Sequence, residues 1–359
     1  MESIKTMDYK KIDDQLSQIS RKINLLTYLR PINLRQEKEK FFANSNFNPH
    51  FRYPNIDLDF NKLKADLSSI SPDETPLGLI FKRKCKELLK KITLLENLGK
   101  PVLTKLSIDL YGRPGRKLIK KAKDYLVQKP RLFFEGKTHN VQEIKRYFKK
   151  MLQSYNLSKK WRIKLKKGLV PDCYVVRSIM YMRPNVKFSK ERMRRTAAHE
   201  IETHILRREN GKAQPYKIFS EGLANYTSTE EGLAIYNEEQ MAERNSKKSF
   251  WPALYVVAVD QALVGSFRDV FDTIRGYGFS KERAWVISCK VKRGLADTSK
   301  PGSFTKDWLY LAGKCKIDRY LNQGGDLKKL YLGKIGTEDL SLIEKMPGIK
   351  EPKYLPKFL

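Results

Sequence analysis

Two histidines lie five positions apart in the segment His199-Glu-Ile-Glu-Thr-His204, and the whole chain of 359 residues contains only four histidines. Ser189 can cap a helix that carries this segment and ends at Asn210-Gly211. Positions five apart are separated by roughly 140° around an ideal α-helix. A single π-turn would bring the second imidazole to within roughly 50° of the first. If both side chains act at one place, the helix must contain a π-bulge or a local break between them.

A pair of histidines with an adjacent glutamate is typical of a catalytic zinc site. Neutral imidazole is the commonest zinc ligand, and a catalytic zinc takes three protein ligands and leaves one position open. Glu200 follows the first histidine as the general base does in H-E-x-x-H enzymes. We therefore expect one Zn²⁺ per chain, bound by His199 and His204. The alternative is that these are ordinary helix residues and that Glu200 points to solvent.

The third ligand is expected to be a carboxylate on a second helix that faces the first. Two similar segments offer one, Glu221-Gly-Leu-Ala and Glu231-Gly-Leu-Ala, and Glu230 directly precedes the second. Each glutamate is also what the helix dipole favours near the start of a solvated helix. Spacing alone leaves the choice among them open.

The N-terminal part of the chain has helical periodicity. Apolar residues recur at steps of four and three from Ile12 to Leu26, which predicts one amphipathic helix that ends before Pro31. Further helical patterns follow between breakers, one of them from Arg116 to Gln128. We expect residues 1–155 to form a helical N-terminal region.

The periodicity changes after residue 155. Residues 161–165 alternate, and residues 174–181 are rich in β-branched and aromatic side chains, which predicts two strands. The second strand offers either a sheet edge for an extended peptide or an ordinary buried strand. From about Thr229 the pattern is again mostly helical. We therefore predict a mainly helical α+β protein, with a catalytic domain at residues 156–345 and an extended tail at residues 346–359.

The charge balance suggests an acidic partner, since 72 Lys and Arg against 40 Asp and Glu give a net charge of +32. The basic residues are spread along the chain, so solvated helix faces are an equally good explanation. A nucleic-acid-binding protein is the competing interpretation, with Glu191-Arg-Met-Arg-Arg195, Lys187 and Lys190 as its best local support. No nucleic-acid-binding module accompanies these residues, so we do not favour it.

The cysteine and hydropathy patterns indicate the cellular compartment in which the protein is expected. Four widely separated cysteines form no C-x-x-C pair and indicate reduced thiols that supply no metal site: Cys85, Cys173, Cys289 and Cys315. Residues 1–20 lack an apolar signal core, and the longest apolar stretch, Trp251 to Val264, is too short to span a bilayer. We expect a cytoplasmic protein without a membrane partner. Its oligomeric state stays open.

Several segments together carry a family resemblance. They are His199 to Arg207, Asn210-Gly-Lys-Ala-Gln-Pro215, Thr229-Glu-Glu-Gly-Leu-Ala234, Arg293-Gly-Leu-Ala-Asp-Thr-Ser-Lys-Pro-Gly-Ser-Phe-Thr-Lys-Asp307 with Tyr310-Leu, Phe51-Arg-Tyr53, and Leu110-Tyr-Gly-Arg-Pro114. With them the chain resembles the QEGLE-motif proteins of bacteria, which belong with the microtubule-associated tyrosine carboxypeptidases of animals. The similarity extends over nearly the whole sequence.

The resemblance implies a zincin-like zinc peptidase with an H-E-x-x-x-H motif, and it selects Glu231 as the third ligand. Glu221 then has no metal role. The chain departs from the family pattern at Glu202, where members often have glycine, and at Glu230, where many bacterial members have glutamine. Neither departure removes a ligand, but whether Glu202 faces solvent or a ligand is open.

The expected mechanism follows from these assignments. Zinc would lower the pKa of a water toward ~7 and polarise the scissile carbonyl, while Glu200 moves a proton from that water to the leaving amine. A carboxypeptidase also needs a cation for the terminal carboxylate of its substrate. Arg293, Lys306 and Tyr310 are the candidates, because they lie in the family-like block after residue 292.

The resemblance also bears on the substrate. Animal members remove a C-terminal aromatic residue from the acidic tail of tubulin, so the expected partner is a peptide or protein C-terminus, and an acidic one would suit the net charge. No segment of this chain resembles a tubulin-binding arm. A catalytically silent zinc-site regulator is a further alternative, although a purely structural site would not require Glu200.

Overall fold

The computed structural model describes residues 7–127, 138–167, 169, 171–242 and 250–359. Its α-helices are α1 (Tyr9–Lys22), α2 (Leu25–Tyr28), α3 (Leu34–Ala43), α4 (Phe60–Ser68), α5 (Pro76–Glu96), α6 (Leu103–Tyr111), α7 (Arg116–Val127), α8 (Val141–Ser154), α9 (Lys190–His199), α10 (Leu206–Ala213), α11 (Ile218–Glu221), α12 (Tyr226–Gln240), α13 (Phe250–Val264), α14 (Phe267–Gly276), α15 (Lys281–Lys292), α16 (Leu309–Asn322) and α17 (Leu340–Ile343). The strands are β1 (Arg162–Leu165), β2 (Cys173–Val176) and β3 (Ile179–Met182), and a π-helical segment at Glu200–Ile205 joins α9 to α10. The predicted mainly helical α+β fold with a small sheet is confirmed.

The first predicted helix is divided in the structure. Helix α1 is capped by the Asp8 side chain and buries Ile12 and Leu16 on its apolar stripe. The chain then leaves helical geometry at Ile23 and Asn24 before the short helix α2. The break redirects the chain so that Leu29 is buried against the loop after α15, a long-range contact that periodicity does not reveal. The helix predicted from Arg116 is α7, and its predicted end at Gln128 lies outside the described residues.

The sheet corrects one strand prediction. Residues 174–181 form not one strand but the hairpin β2–β3, which turns at Arg177 with a positive φ of 52°. Strand β3 lies in the centre, parallel to β1 and antiparallel to β2. The polar pair Arg177-Ser178 within an apolar run marks the turn. Strand β2 therefore lies at an edge of the sheet.

The apolar residues form two buried clusters. The larger one surrounds α5 and the helix that carries the histidines, and the other surrounds α13, whose apolar residues are buried on nearly every side. No described helix is long and apolar enough to cross a membrane. Both clusters combine residues from before and after position 155, for example Phe41 with Phe267. The predicted domain boundaries stay a prediction.

Helices α12 and α16 cross at direct backbone contact. A Cβ on Gly232 would lie 2.1 Å from the carbonyl carbon of Gly313, and a Cβ on Gly313 would lie 2.0 Å from the Ser228 carbonyl oxygen. Only glycine fits at such a crossing. The glycine of the Glu231-Gly-Leu-Ala motif thus sets the position of α12, the helix that carries the candidate third ligand.

The turn before α12 is held by a buried ionic cluster on α5. The Lys84 ammonium donates to the Glu87 carboxylate at 2.8 Å and to the Gly222 carbonyl at 2.6 Å. Glu87 also accepts a hydrogen bond from the Asn225 backbone N–H at 3.2 Å. Burial would raise the pKa of Glu87, but the charges of Lys84 and Lys91 lower it to about 2.

Residues 346–359 contain no helix or strand, and α10 side chains hold them. The Asn210 amide exchanges two hydrogen bonds with the Tyr354 backbone, at 2.8 and 2.9 Å. The Gln214 amide does the same with the Lys350 backbone, at 2.7 and 2.9 Å. Helix α10 continues to Ala213, past its predicted end at Gly211, whose Cβ would lie only 2.3 Å from the Phe219 carbonyl oxygen. Close packing, rather than helix termination, explains this glycine.

Candidate metal centre

The helix between the two histidines contains the predicted π-bulge. The Leu206 backbone N–H donates to the carbonyl of Ile201, five residues earlier, and the Thr203 hydroxyl donates to the Ala198 carbonyl at 2.9 Å. The imidazole centroids of His199 and His204 are consequently only 4.9 Å apart, with ring planes at 77°. The expanded turn thus places both rings on one side of the helix.

Three potential ligands converge at this place. His199, His204 and Glu231 each offer one donor atom, and these atoms all lie within 4.8 Å of one another. The Nε2 atoms of the two histidines are 3.8 and 4.0 Å from the same Glu231 oxygen. Glu221 lies elsewhere, because its carboxylate accepts hydrogen bonds from Ser17 and Arg21, both at 2.8 Å. The arrangement matches a zinc site of two histidines and one carboxylate.

The opposite nitrogen of each ring is held by a carboxylate, buried at Glu230 and partly buried at Glu238. His199 Nδ1 lies 2.6 Å from Glu238, and His204 Nδ1 lies 2.7 Å from Glu230. A carboxylate at Nδ1 favours the tautomer with its proton there, so that the Nε2 lone pair is available to a metal ion. The donor set therefore fits a zinc ion. Sequence reasoning missed Glu238, although its spacing of seven from Glu231 puts both on one face of α12.

Cations on neighbouring elements balance these carboxylates. Burial would raise the pKa of Glu230, but Lys334 at 2.7 Å and the fully buried Arg207 hold it well below its ordinary value. Lys306 donates to the second oxygen of Glu231 at 2.7 Å, and the pKa of Glu231 falls to about 2 despite its burial. Burial lowers the pKa of His199, yet Glu238 and the other nearby carboxylates raise it to about 9. A field that holds a proton on a buried imidazole also favours a metal cation.

Glu200 is buried beside the histidines, and all three residues line one cavity. Burial raises its pKa above the ordinary value for glutamate. The Cys173 thiol on β2 donates a weak hydrogen bond to the Glu200 carboxylate, with 4.0 Å between sulfur and oxygen. A buried carboxylate with a raised pKa is suited to accept and release a proton.

The Glu202 side chain is directed into the protein. Its side chain is only 1% exposed, so it does not face solvent. One carboxylate oxygen accepts hydrogen bonds from the Tyr155 hydroxyl at 2.7 Å and from the Lys357 backbone N–H at 3.2 Å. Glu202 therefore attaches the end of α8 and the C-terminal tail to the outside of the π-turn, and it takes no part in the ligand cluster.

A cavity of about 710 Å³ opens onto the histidines. Its walls are α2 and the residues after it, the hairpin β2–β3, and the segment from α15 to the start of α16. The three predicted substrate-binding residues Arg293, Lys306 and Tyr310 all line it. The Arg293 guanidinium, however, is paired with Asp307 at 3.1 and 3.2 Å, just as Lys306 is paired with Glu231.

The loop that follows Arg293 is fixed by a distant segment. The Tyr53 hydroxyl donates to the Leu295 carbonyl at 2.9 Å and accepts from the Gly294 N–H at 2.7 Å. Gly294 has a φ of 90°, in the region that favours glycine. The Phe51 N–H donates to the Ala296 carbonyl at 2.8 Å. The joint occurrence of Phe51-Arg-Tyr53 and Arg293-Gly-Leu-Ala in the sequence thus reflects one contact that positions the cavity wall.

Sequence reasoning also missed Lys290, on the cavity wall formed by the end of α15, and Tyr255, its partner on α13. The Lys290 ammonium donates to the Tyr255 hydroxyl at 2.7 Å, and Lys290 lines the cavity three residues before Arg293. The Tyr255 and Tyr310 rings pack with centroids 5.5 Å apart. The helical spacing of Lys290 and Arg293 was the available signal.

A known protein family matches most of this sequence. The sequence model of the family described as microtubule-associated tyrosine carboxypeptidase matches residues 39–359. Microtubule-associated tyrosine carboxypeptidase 1 of Rattus norvegicus is 27% identical over 348 residues, which cover 93% of this chain and 65% of the rat protein. The Homo sapiens protein of that name is 34% identical over 167 residues, which cover 45% of this chain and 34% of the human one. The chain thus spans less than two thirds of the length of these curated relatives.

Proposed function

Because the chain belongs to the microtubule-associated tyrosine carboxypeptidase family, we propose that it is a zinc-dependent metallopeptidase that removes a C-terminal residue of aromatic type from a peptide or protein. The observation that carries the proposal is the convergence of His199, His204 and Glu231 within 4.8 Å. The carboxylates at both Nδ1 atoms support it, because they orient the two imidazoles as metal ligands.

His199, His204 and Glu231 would hold the zinc ion. When bound, the ion supplies Lewis-acid chemistry, since it lowers the pKa of a water and polarises a carbonyl. Glu200 accepts the proton of the attacking water and delivers it to the leaving amine, for which its buried position and raised pKa are suited. Glu230 and Glu238 keep the imidazoles in one tautomer and orientation.

The cavity provides for an extended substrate. Strand β2 is an edge strand, and its residues Cys173 to Val176 line the cavity next to the histidines. An extended peptide can therefore add to this edge by main-chain hydrogen bonds. The lining also includes Tyr181, Tyr226 and Tyr310 and several basic side chains, which suit an aromatic side chain with a terminal carboxylate. The names of the curated relatives also describe tyrosine carboxypeptidases.

The proposal is tested by metal analysis of the purified protein together with a C-terminal peptide library read by mass spectrometry. We expect one zinc per chain in the wild type. Glu200→Gln should keep the metal and lose turnover, whereas Glu231→Ala should lose the metal. The matched control is Glu221→Ala, which removes the glutamate of the other Glu-Gly-Leu-Ala segment and should keep the metal.

Two outcomes would contradict the proposal in different ways. A wild-type protein without stoichiometric zinc would reject the metallopeptidase. A zinc-containing protein that trims no C-terminus would reject the carboxypeptidase and leave an endopeptidase or a silent zinc site. A thermal melt of each variant separates loss of metal ligation from loss of folding.

A further inference from the structure

The geometry points to Lys290 as the residue that binds the terminal carboxylate of the substrate. This inference rests on the proposed function and adds the group that would make the enzyme specific for chain ends. It also changes the sequence-based expectation, which considered only Arg293, Lys306 and Tyr310 for this role.

Two of the expected candidates already have carboxylate partners. The Arg293 guanidinium contacts both oxygens of Asp307, a residue that is only 2% exposed. The Lys306 ammonium is 2.7 Å from Glu231. A buried carboxylate with a cationic partner neutralises that cation, and a substrate carboxylate would have to displace it. Arg293 and Lys306 therefore hold the site together but leave little positive charge for a ligand.

Lys290 is different. Among the residues that the structure describes, no carboxylate pairs with its ammonium, whose one hydrogen bond goes to the neutral Tyr255 hydroxyl. The ammonium lies over the Tyr255 ring at 4.6 Å from the centroid, and the residue is partly buried. An ammonium has three N–H donors, so at least two remain for a ligand. Lys290 thus presents, in the cavity wall, an ammonium held by Tyr255 and paired directly with no carboxylate of the described residues.

The neighbouring contacts connect this charge to the metal centre. Lys306 contacts Glu231 and lies over the Tyr310 ring, and Tyr310 packs on Tyr255, which binds Lys290. The Tyr310 ring, backed by Tyr255, thus forms an aromatic surface of the cavity between the ligand cluster and the Lys290 ammonium. The last residue of a substrate would lie along this surface, with its carboxylate at Lys290 and its scissile bond toward Glu200.

Three other cations line the cavity without a carboxylate partner in the described part of the chain: Arg30, Lys166 and Arg177. Lys166 and Arg177 are exposed on the sheet side, where water screens their charge. Arg30 follows α2 and lines the cavity from a different element, so it provides a matched control.

The test uses a dye-labelled hexapeptide that ends in tyrosine, as the free acid and as the C-terminal amide. Binding is measured by fluorescence anisotropy in a Glu200→Gln background, and turnover in the active protein. The parent should bind the acid about 10- to 100-fold more tightly than the amide, as a hydrogen bond between charged groups allows. Lys290→Met should lose this preference, and Lys290→Arg should keep most of it.

Two further variants make the result specific. Lys290→Gln keeps a donor for Tyr255 without the charge, so it should lose the preference even if Lys290→Met is unstable. Arg30→Met should keep the preference for the acid. The inference is overturned if the parent binds acid and amide equally, if the uncharged Lys290 variants keep the preference, or if Arg30→Met loses it. If the acid preference depends on Lys290 but no peptide is cleaved, the proposed activity fails and the binding site stands.

Discussion

Replacing Glu238 tests whether the carboxylates at the Nδ1 atoms control metal affinity. Glu238 lies on α12, 2.6 Å from His199 Nδ1 and 3.3 Å from Arg195. Glu238→Gln keeps an acceptor for the imidazole N–H but removes the charge, so a charge-assisted hydrogen bond becomes a neutral one, a loss of about 1–2 kcal/mol. The expected consequence is zinc affinity weaker by about 5- to 30-fold.

Glu238→Leu removes the acceptor as well. A buried Nδ1–H without a partner costs about 1–3 kcal/mol, or the ring adopts the other tautomer and loses its Nε2 lone pair. We therefore expect zinc affinity about 100-fold below that of the wild type, at the upper end of what loss of a ligand's supporting partner causes. Glu344→Gln, which alters a half-exposed ion pair with Lys329, is the control.

The assay is competition for zinc against a fluorescent chelator, with a thermal melt of each metal-free variant. A graded loss from wild type through Glu238→Gln to Glu238→Leu is expected, without a matching loss of metal-free stability in the glutamine variant. Equal zinc affinity in all three proteins would refute the role of Glu238. A loss that the control shares would show that the assay reports surface charge instead.

Two predictions concern stability. Gly232→Ala should destabilise the protein by at least about 2 kcal/mol in urea unfolding, because its Cβ would lie 2.1 Å from the Gly313 carbonyl carbon and force α12 away from α16. Gly276→Ala is the control and should have little effect, because no atom lies within 4 Å of the added Cβ. For Glu87 the folded-state pKa of about 2 lies below the ordinary value of 4.5, so its stabilising contribution is complete above pH 4.5 and is lost as the pH falls toward 2. Glu87→Gln should therefore be less stable than the wild type at pH 7, and this difference in unfolding free energy should shrink in acid; a difference independent of pH would contradict the assignment.

Much of the local structure could be predicted from sequence. Helical periodicity, capping residues and the change of period after residue 155 reflect interactions between near neighbours in the chain, and the helices and strands appear close to where these patterns place them. The spacing of His199 and His204 predicted the π-bulge, because two side chains five apart reach one point only if the helix is expanded there. The resemblance then selected Glu231 from glutamates that spacing could not separate.

Other features depend on which elements meet in space, and only the tertiary structure decided them. The hairpin at Arg177, the burial of Glu202 and the pairing of Glu238 with His199 each join residues whose partners are distant in sequence or hidden by a continuous apolar run. The ionic partner of a charged side chain is likewise decided by the tertiary structure. Arg293 and Lys290 lie on adjacent turns and read alike in the sequence, yet one has a buried carboxylate beside it and the other a phenol. Charge is a property of the residue, whereas its compensation depends on the packing of the fold, and compensation determines which cation remains for a substrate.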